Sequence, residues 1–252
     1  MRFFWIVIRS MAVSYIIIGA YLFTFQRDLI YFPTAEENHP YFTEKMAIDG
    51  EILNIVTLNR GKSDAILYFG GVGEPVVKNG PDFAKTFPHH TIYFVNYRGY
   101  GGSSGAPSEH ALYSDAADIY DRVAPRHESL SVIGRSLGTG VATYLASMKP
   151  IAKLVLITPY DSVEHIAQDS YPIFPMWLIL KDKFNSLAQV RKVTAATLVI
   201  LAEHDLMIPA KYSSHLIRAF PTAQVMVETI KGTGHNNLHE KARYHSLLGN
   251  FL

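Results

Sequence analysis

The sequence predicts an α/β protein with a mostly parallel central sheet flanked by helices on both faces, preceded by an N-terminal membrane helix. Three observations carry this. After about residue 50, short β-prone apolar runs alternate with helical stretches, the pattern of a parallel sheet covered on both sides. Before that, Arg9 is the only charge from Phe3 to Phe25. Within the alternation, a Gly-x-Ser-x-Gly stretch follows a strand and opens a helix.

Composition narrows the classes. The chain has 252 residues, 48% of them apolar, which suits one large domain. Charged residues make up 18% against about 25% in an ordinary soluble domain, and the balance is +1. A near-neutral chain lacks the basic field of a nucleic-acid binder. There are no cysteines, which removes disulfides, thiolate metal sites and a cysteine nucleophile.

Phe3–Phe25 is 23 residues, enough at about 1.5 Å per residue to cross a hydrocarbon core of about 30 Å. Phe3, Phe4 and Trp5 at one end and Tyr21, Phe23 and Phe25 at the other suit an interfacial belt. No small-x-small site precedes Gln26, which favours an uncleaved anchor over a cleaved signal peptide. Arg2 and Arg9 lie on the N-terminal side, so the positive-inside rule places the domain outside the cytoplasm. Residues 1–25 are therefore expected to be the anchor, 26–45 a linker and 46–252 the α/β domain.

The remaining elements follow in order. Ile52–Leu58, Ala65–Phe69 and Thr91–Asn96 read as strands, and Glu109–Arg122 as a helix capped by Ser108. Leu130–Gly134 is a buried strand and Ser136–Met148 a helix of small residues. Lys153–Ile157, Thr197–Leu201 and Gln224–Ile230 are further strands. Pro209–Phe220 is helical, and Asn236–Phe251 closes the chain as a helix. Residues 162–190, with Pro172, Pro175 and Trp177, interrupt the alternation and read as a short lid over the C-terminal edge of the sheet, where ligands bind in such folds.

Gly134-Arg135-Ser136-Leu137-Gly138 has the strand–turn–helix setting that a nucleophile elbow requires. A serine hydroxyl needs a base, and the base needs an orienting acid. His235 follows the strand Gln224–Ile230, and Asp205 follows Thr197–Leu201, so both belong to the same sheet edge as Ser136. Asp161 is the rival acid, though it reads better as a cap for a helix at Ser162. His239, four residues past His235, shares its face of the last helix, but Asn236 stands where a zinc motif needs Glu, so no metal is expected. An oxyanion hole needs two N–H donors. Leu137 supplies one, and Val72, in Gly70-Gly71-Val72-Gly73-Glu74, is expected to supply the other. Gly71, Tyr100, Tyr160 and Trp177 surround this edge and are expected substrate contacts. The second Gly-rich loop, Asn96–Gly105, reads as a pocket wall.

These segments together resemble a known family. Leu67–Glu74, Asn96–Glu109, Gly134–Ala142, Thr158–Ser162, Ala202–Asp205 and Gly232–Asn237 are similar to those of the α/β-hydrolase superfamily, in the membrane-anchored branch of serine aminopeptidase-like hydrolases and abhydrolase-domain depalmitoylases. The resemblance implies the α/β-hydrolase fold, Ser136 as nucleophile, Asp205 as acid, His235 as base and no cofactor. One departure is visible: Gly70-Gly71 stands where many members have His-Gly.

The expected activity is hydrolysis of an ester, thioester or amide through an acyl-enzyme, on a small or lipid-like acyl substrate. A non-catalytic membrane-tethered binding module, an acyltransferase and a peptidase remain open alternatives. The low charge belongs to the domain as well as the anchor, which predicts a domain close to the bilayer or one with a large apolar lid and pocket.

Overall fold

The computed structural model describes residues 1–221 and 223–252. Among the described residues, eight strands form one sheet in the order β1-β2-β4-β3-β5-β6-β7-β8. They are β1 (Phe42–Ile48), β2 (Glu51–Leu58), β3 (Asp64–Phe69), β4 (His90–Val95), β5 (Ser129–Arg135), β6 (Lys153–Ile157), β7 (Ala196–Ala202) and β8 (Val225–Ile230). The pairs β1/β2 and β2/β4 are antiparallel, and every pair from β4/β3 to β7/β8 is parallel.

The parallel strands are apolar on both faces because helices cover both. Leu67, Phe69, Val132, Leu154, Leu156 and Val199 face one buried cluster. Their neighbours Ile66, Tyr68, Ile133, Val155, Leu198 and Ile200 face the other. The helices are α1 (Arg2–Ile30), α2 (Gly80–Thr86), α3 (Glu109–Val123), α4 (Leu137–Met148), α5 (Val163–Ser170), α6 (Met176–Ile179), α7 (Ser186–Val190), α8 (Ala210–Ala219) and α9 (Ala242–Phe251). Ser108 caps α3 as its sequence predicts, accepting the Ala111 N–H at 3.1 Å.

After β3 the chain leaves to one side, into β4, then crosses back to β5 on the other. This reversal opens a crevice at the C-terminal ends of β3 and β5. The loops after β3, β5, β7 and β8 all end at that edge.

Several boundaries differ from expectation. Helix α1 continues to Ile30, and β1 occupies 42–48, so much of the expected linker is ordered structure. β1 escapes a sequence reading because it is an edge strand paired with β2 alone, and its Glu44 and Lys45 tolerate solvent. Helix α2 is short and starts at Gly80-Pro81. The closing helix is broken: a 3-10 turn spans Leu238–Glu240 and α9 begins only at Ala242. The insertion 162–190 folds as α5, α6 and α7 with irregular connections.

Candidate active site

Ser136 sits between β5 and α4 with φ +49° and ψ −118°. A non-glycine residue held there is strained, and the surroundings must hold it. Its N–H donates to the Ile157 carbonyl of β6 at 2.9 Å. The flanking glycines have steric reasons. A Cβ on Gly138 would collide with the Phe69 carbonyl, and one on Gly134 with the Gly138 carbonyl. The elbow can therefore bring α4 hard against β3 only with glycine at both positions.

His235 Nε2 lies 2.9 Å from Ser136 Oγ, and His235 Nδ1 lies 2.8 Å from Asp205 Oδ2. A carboxylate only accepts, so Nδ1 carries the proton and Nε2 is left to accept from the hydroxyl. Asp205 is itself fixed: its Oδ1 accepts the Met207 and Ile208 N–H groups at 3.0 and 2.8 Å. All three side chains are largely shielded from water. The imidazole loop is closed by Asn237, whose Oδ1 accepts the Gly234 N–H at 2.8 Å. The structure thus brings Ser136, Asp205 and His235 together. Such an array can move a proton from a serine hydroxyl to an imidazole while the carboxylate supports the resulting charge.

The loop after β3 is organised by a residue whose role the chain order does not reveal. Glu74 Oε2 accepts the Gly71 N–H at 2.6 Å and pairs with Arg135 Nη1 at 3.0 Å. Its Oε1 accepts the Tyr68 hydroxyl and the Asn79 amide, each at 2.6 Å. Burial alone would push the Glu74 carboxyl up. The Arg135 guanidinium and the Gly71, Tyr68 and Asn79 donors outweigh it and hold the group below the usual carboxylate range. Burial also opposes the charge of Arg135, but Glu74 overcomes it and raises the guanidinium further. Arg135 reaches on to the His235 carbonyl and Asn236 Oδ1 at 3.4 and 3.5 Å. One buried ion pair therefore ties the loop after β3 to the elbow and the histidine loop. Tyr97 adds a further pin, donating to the Gly70 carbonyl at 2.9 Å. The Gly71 amide is thus engaged by Glu74, while Val72 and Leu137 line the same cavity as Ser136.

A cavity of about 300 Å³ opens at this point. Ser136 and His235 line it together with Gly71, Val72, Leu137 and Tyr160. Tyr160 is buried and donates to the Leu137 carbonyl at 3.1 Å, so it is both a wall and a brace for the elbow. The apolar side of the cavity comes from Leu29, Ile30 and Phe32 at the end of α1, from Val163 and Ile166 of α5, and from Ile208. The α1 contribution is invisible in the sequence, because nothing in the chain order places residue 30 beside residue 136.

Two expected substrate contacts lie elsewhere. Tyr100 is buried beneath the cavity wall, where its hydroxyl accepts the Phe32 N–H at 2.8 Å. Trp177 stands on the outer face of α6 and is exposed. Likewise the loop Asn96–Gly105 does not line the cavity. It packs on β2 and the segment after α1: Gly101 N–H donates to the Thr34 carbonyl, and Ser103 Oγ accepts the Asn54 N–H. Its glycines serve tight turns, with φ positive at Gly99, Gly101, Gly102 and Gly105.

Asp161 is not in reach of His235, and it is not the cap. Ser162 caps α5, accepting the His165 N–H at 3.0 Å. Asp161 is fully buried; it accepts the Ser162 N–H at 2.6 Å and faces His165 Nδ1 and His215 Nδ1 at 2.9 and 3.0 Å. His239 sits in the 3-10 turn before α9 and His235 in the loop before that, so they share no helix face. His204 is exposed and points at Glu203.

A family model described as "alpha/beta hydrolase fold" matches residues 69–178. Among solved structures, an esterase of Pyrococcus furiosus superposes with a TM-score of 0.68 at 15% identity, covering 88% of this chain and 98% of that one. The enol-lactonase of Burkholderia xenovorans gives 0.64 at 14%, covering 82% and 99%. The chain has the α/β-hydrolase fold. This hydrolase-fold chain is also similar to an uncharacterized protein of Mycobacterium tuberculosis, 33% identical over 151 residues, which are 58% of this chain and 53% of that protein. Alpha/beta hydrolase domain-containing protein 17C of Homo sapiens is 31% identical over 166 residues, 64% of this chain and 49% of that protein. The chain thus spans about half the length of the relatives it matches, and the resemblance to the abhydrolase-domain branch holds.

Proposed function

We propose that this chain is a membrane-anchored serine hydrolase that cleaves an acyl ester or thioester through an acyl-enzyme. The observation that carries the reading is the pair of hydrogen-bond-length contacts on His235, 2.9 Å to Ser136 Oγ and 2.8 Å to Asp205 Oδ2. Ser136 Oγ attacks the substrate carbonyl while its proton passes to His235 Nε2. Asp205 keeps the imidazole in the tautomer that can accept it and supports the imidazolium. The tetrahedral oxyanion takes the N–H groups of Val72 and Leu137, each worth about 3 kcal/mol in the transition state. His235 returns the proton to the leaving group, whose bond to the carbonyl carbon breaks. Water then repeats the sequence on the acyl-serine and releases the acid. No step calls for a cofactor.

The apolar side of the cavity supports a lipid-like acyl group over a peptide. Leu29, Ile30, Phe32, Val163 and Ile166 offer no charge for a peptide terminus, and the first three belong to the anchor or its exit. Of α1 only Leu22 and Gln26 are buried, and its apolar side chains from Phe3 to Ile18 are exposed. We read residues 2–25 as spanning the bilayer, with Arg2 and Arg9 on the cytoplasmic side and the domain opposite. The reading is tested with a panel of acyl esters and thioesters of rising chain length, run beside aminopeptidase substrates. Turnover that rises with chain length and vanishes in Ser136→Ala is expected. Cleavage of aminopeptidase substrates alone would overturn the acyl reading, and acyl transfer to added alcohols in preference to water would make the chain a transferase.

A further inference from the structure

The tip of the insertion, residues 171–180 (Tyr-Pro-Ile-Phe-Pro-Met-Trp-Leu-Ile-Leu), holds no charged side chain. Ile173, Trp177 and Leu178 are 70%, 62% and 65% exposed. Isolated exposed apolar residues are ordinary, but a contiguous patch marks an interaction surface. This patch is continuous with α1. Phe174 stacks on Tyr15 with ring centres 4.6 Å apart, and Tyr15 donates to the Ile173 carbonyl at 3.0 Å. Leu22 packs with Phe174, Met176, Ile179 and Leu180. Higher up, Gln26 donates to the Ile179 carbonyl and accepts the Lys181 N–H, and Arg27 pairs with Asp182 at 2.9 Å. The tip is therefore fastened along α1 from residue 15 to residue 27.

That fastening decides its depth. A helix needs about 20 residues to cross the hydrocarbon core. Counted from Arg2, the span ends no earlier than Tyr21. Tyr15 then lies about 9 Å inside the domain-side boundary at about 1.5 Å per residue. Drawing the boundary above Tyr15 to keep the tip in water would leave about 20 Å of helix for a core of about 30 Å. Helix α1 cannot span without carrying residues 173 and 174 into the membrane.

The local chemistry fits a segment without water. Pro172 and Pro175 have no N–H to satisfy. The Phe174 N–H donates to the Tyr171 carbonyl, and the Met176 N–H to Gln168 Oε1. The Gln168 amide donates to the Phe174 carbonyl at 3.0 Å. Charges resume immediately after residue 180, where Lys181 Nζ lies 4.2 Å from the Phe23 ring centre and Lys183 pairs with Glu164 at 3.0 Å. Lysines at that level can keep their ammonium groups in the headgroup layer while their stems cover apolar surface.

We infer that residues 171–180 insert into the bilayer beside α1, with Ile173, Trp177 and Leu178 against the acyl chains. The inference rests on reading α1 as membrane-spanning, and the test separates the two. The chain has two tryptophans, Trp5 and Trp177. In Trp5→Phe only Trp177 reports, and in Trp177→Phe only Trp5 does. Each full-length variant is reconstituted in phosphatidylcholine vesicles, with increasing shares of phosphatidylcholine brominated in its acyl chains. The expected result is blue-shifted emission from Trp177, lost progressively as brominated lipid increases, and parallel quenching of Trp5. Quenching of Trp5 without quenching of Trp177 overturns the inserted tip and leaves the anchor standing. Blue-shifted but unquenched Trp177 assigns the patch to a second protein copy and likewise overturns it. An unquenched Trp5 overturns the anchor reading and, with it, the depth of the tip.

Discussion

Replacing Arg135 by methionine removes one half of a buried ion pair and leaves the other in place. Glu74 is 8% exposed and Arg135 18%, with 3.0 Å between them. Breaking such a pair from one side typically costs about 3–5 kcal/mol, because a charge stays buried without its partner. Here Glu74 keeps three donors, from Gly71, Tyr68 and Asn79, so we expect the low end, about 3 kcal/mol. In a domain of ordinary stability, about 5–15 kcal/mol, that loss is large. The loss depends on pH. The folded Glu74 carboxyl titrates below its unfolded value of about 4.3, so its stabilising contribution is present above that value and is lost as pH falls through the folded one. Without Arg135 one of the interactions that lower the folded value is gone, so the carboxyl in the variant titrates above that of the parent and the variant sheds part of its penalty as acid neutralises Glu74. The stability gap between the two proteins should therefore narrow as pH falls towards about 4. Urea unfolding of Arg135→Met, Glu74→Gln and the double variant, in the same detergent, gives both the cost and the coupling. A coupling of about 2 kcal/mol or more is expected. A single-variant cost under about 1 kcal/mol, or additivity in the cycle, would refute the idea that this pair holds the site together.

Gly138→Ala would drive a Cβ into the Phe69 carbonyl, a backbone atom that cannot rotate away; a loss of about 3 kcal/mol or more in unfolding free energy is expected. Asp205→Asn should lower kcat by about 10⁴-fold with the fold intact, because the amide can favour the wrong imidazole tautomer. Asp161→Asn should act in the opposite way. It disturbs a buried acceptor of three N–H groups and should cost about 1–3 kcal/mol of stability, while ester turnover in the surviving folded protein stays near that of the parent. Steady-state kinetics beside circular dichroism melts would check both.

The parts of this fold that the chain order exposes are those set by local pattern. The parallel strands are apolar runs with β-branched residues, and each appears within a residue or two of its expected limits. Ser136 could be placed because a serine flanked by glycines between a strand and a helix is a local pattern, and the contacts of Gly134 and Gly138 show why both are needed here. Asp205 and His235 could be placed because each follows a strand of the same parallel sheet, so topology alone brings them to one edge. What the chain order hides is contact between remote segments. Glu74 reads as one more polar loop residue until Arg135, 61 positions later, is folded against it. Tyr100 and Tyr160 look alike as loop aromatics, yet only the second reaches the cavity, since Phe32 returns over the first. Strand β1 is concealed by its edge position, where alternate residues meet water. The placing of Leu29, Ile30 and Phe32 beside Ser136 depends on how α1 leans on α5 and α6, a matter of packing and not of pattern.

The most direct test of the central claim is to locate the nucleophile. The full-length protein is treated with an alkyl fluorophosphonate, digested, and the adduct mapped by mass spectrometry in the parent and in Ser136→Ala. The account predicts a single adduct on the Ser136 hydroxyl, formed slowly in His235→Ala and absent in Ser136→Ala. An adduct on another side chain of the parent, or labelling that persists undiminished in Ser136→Ala, would contradict it.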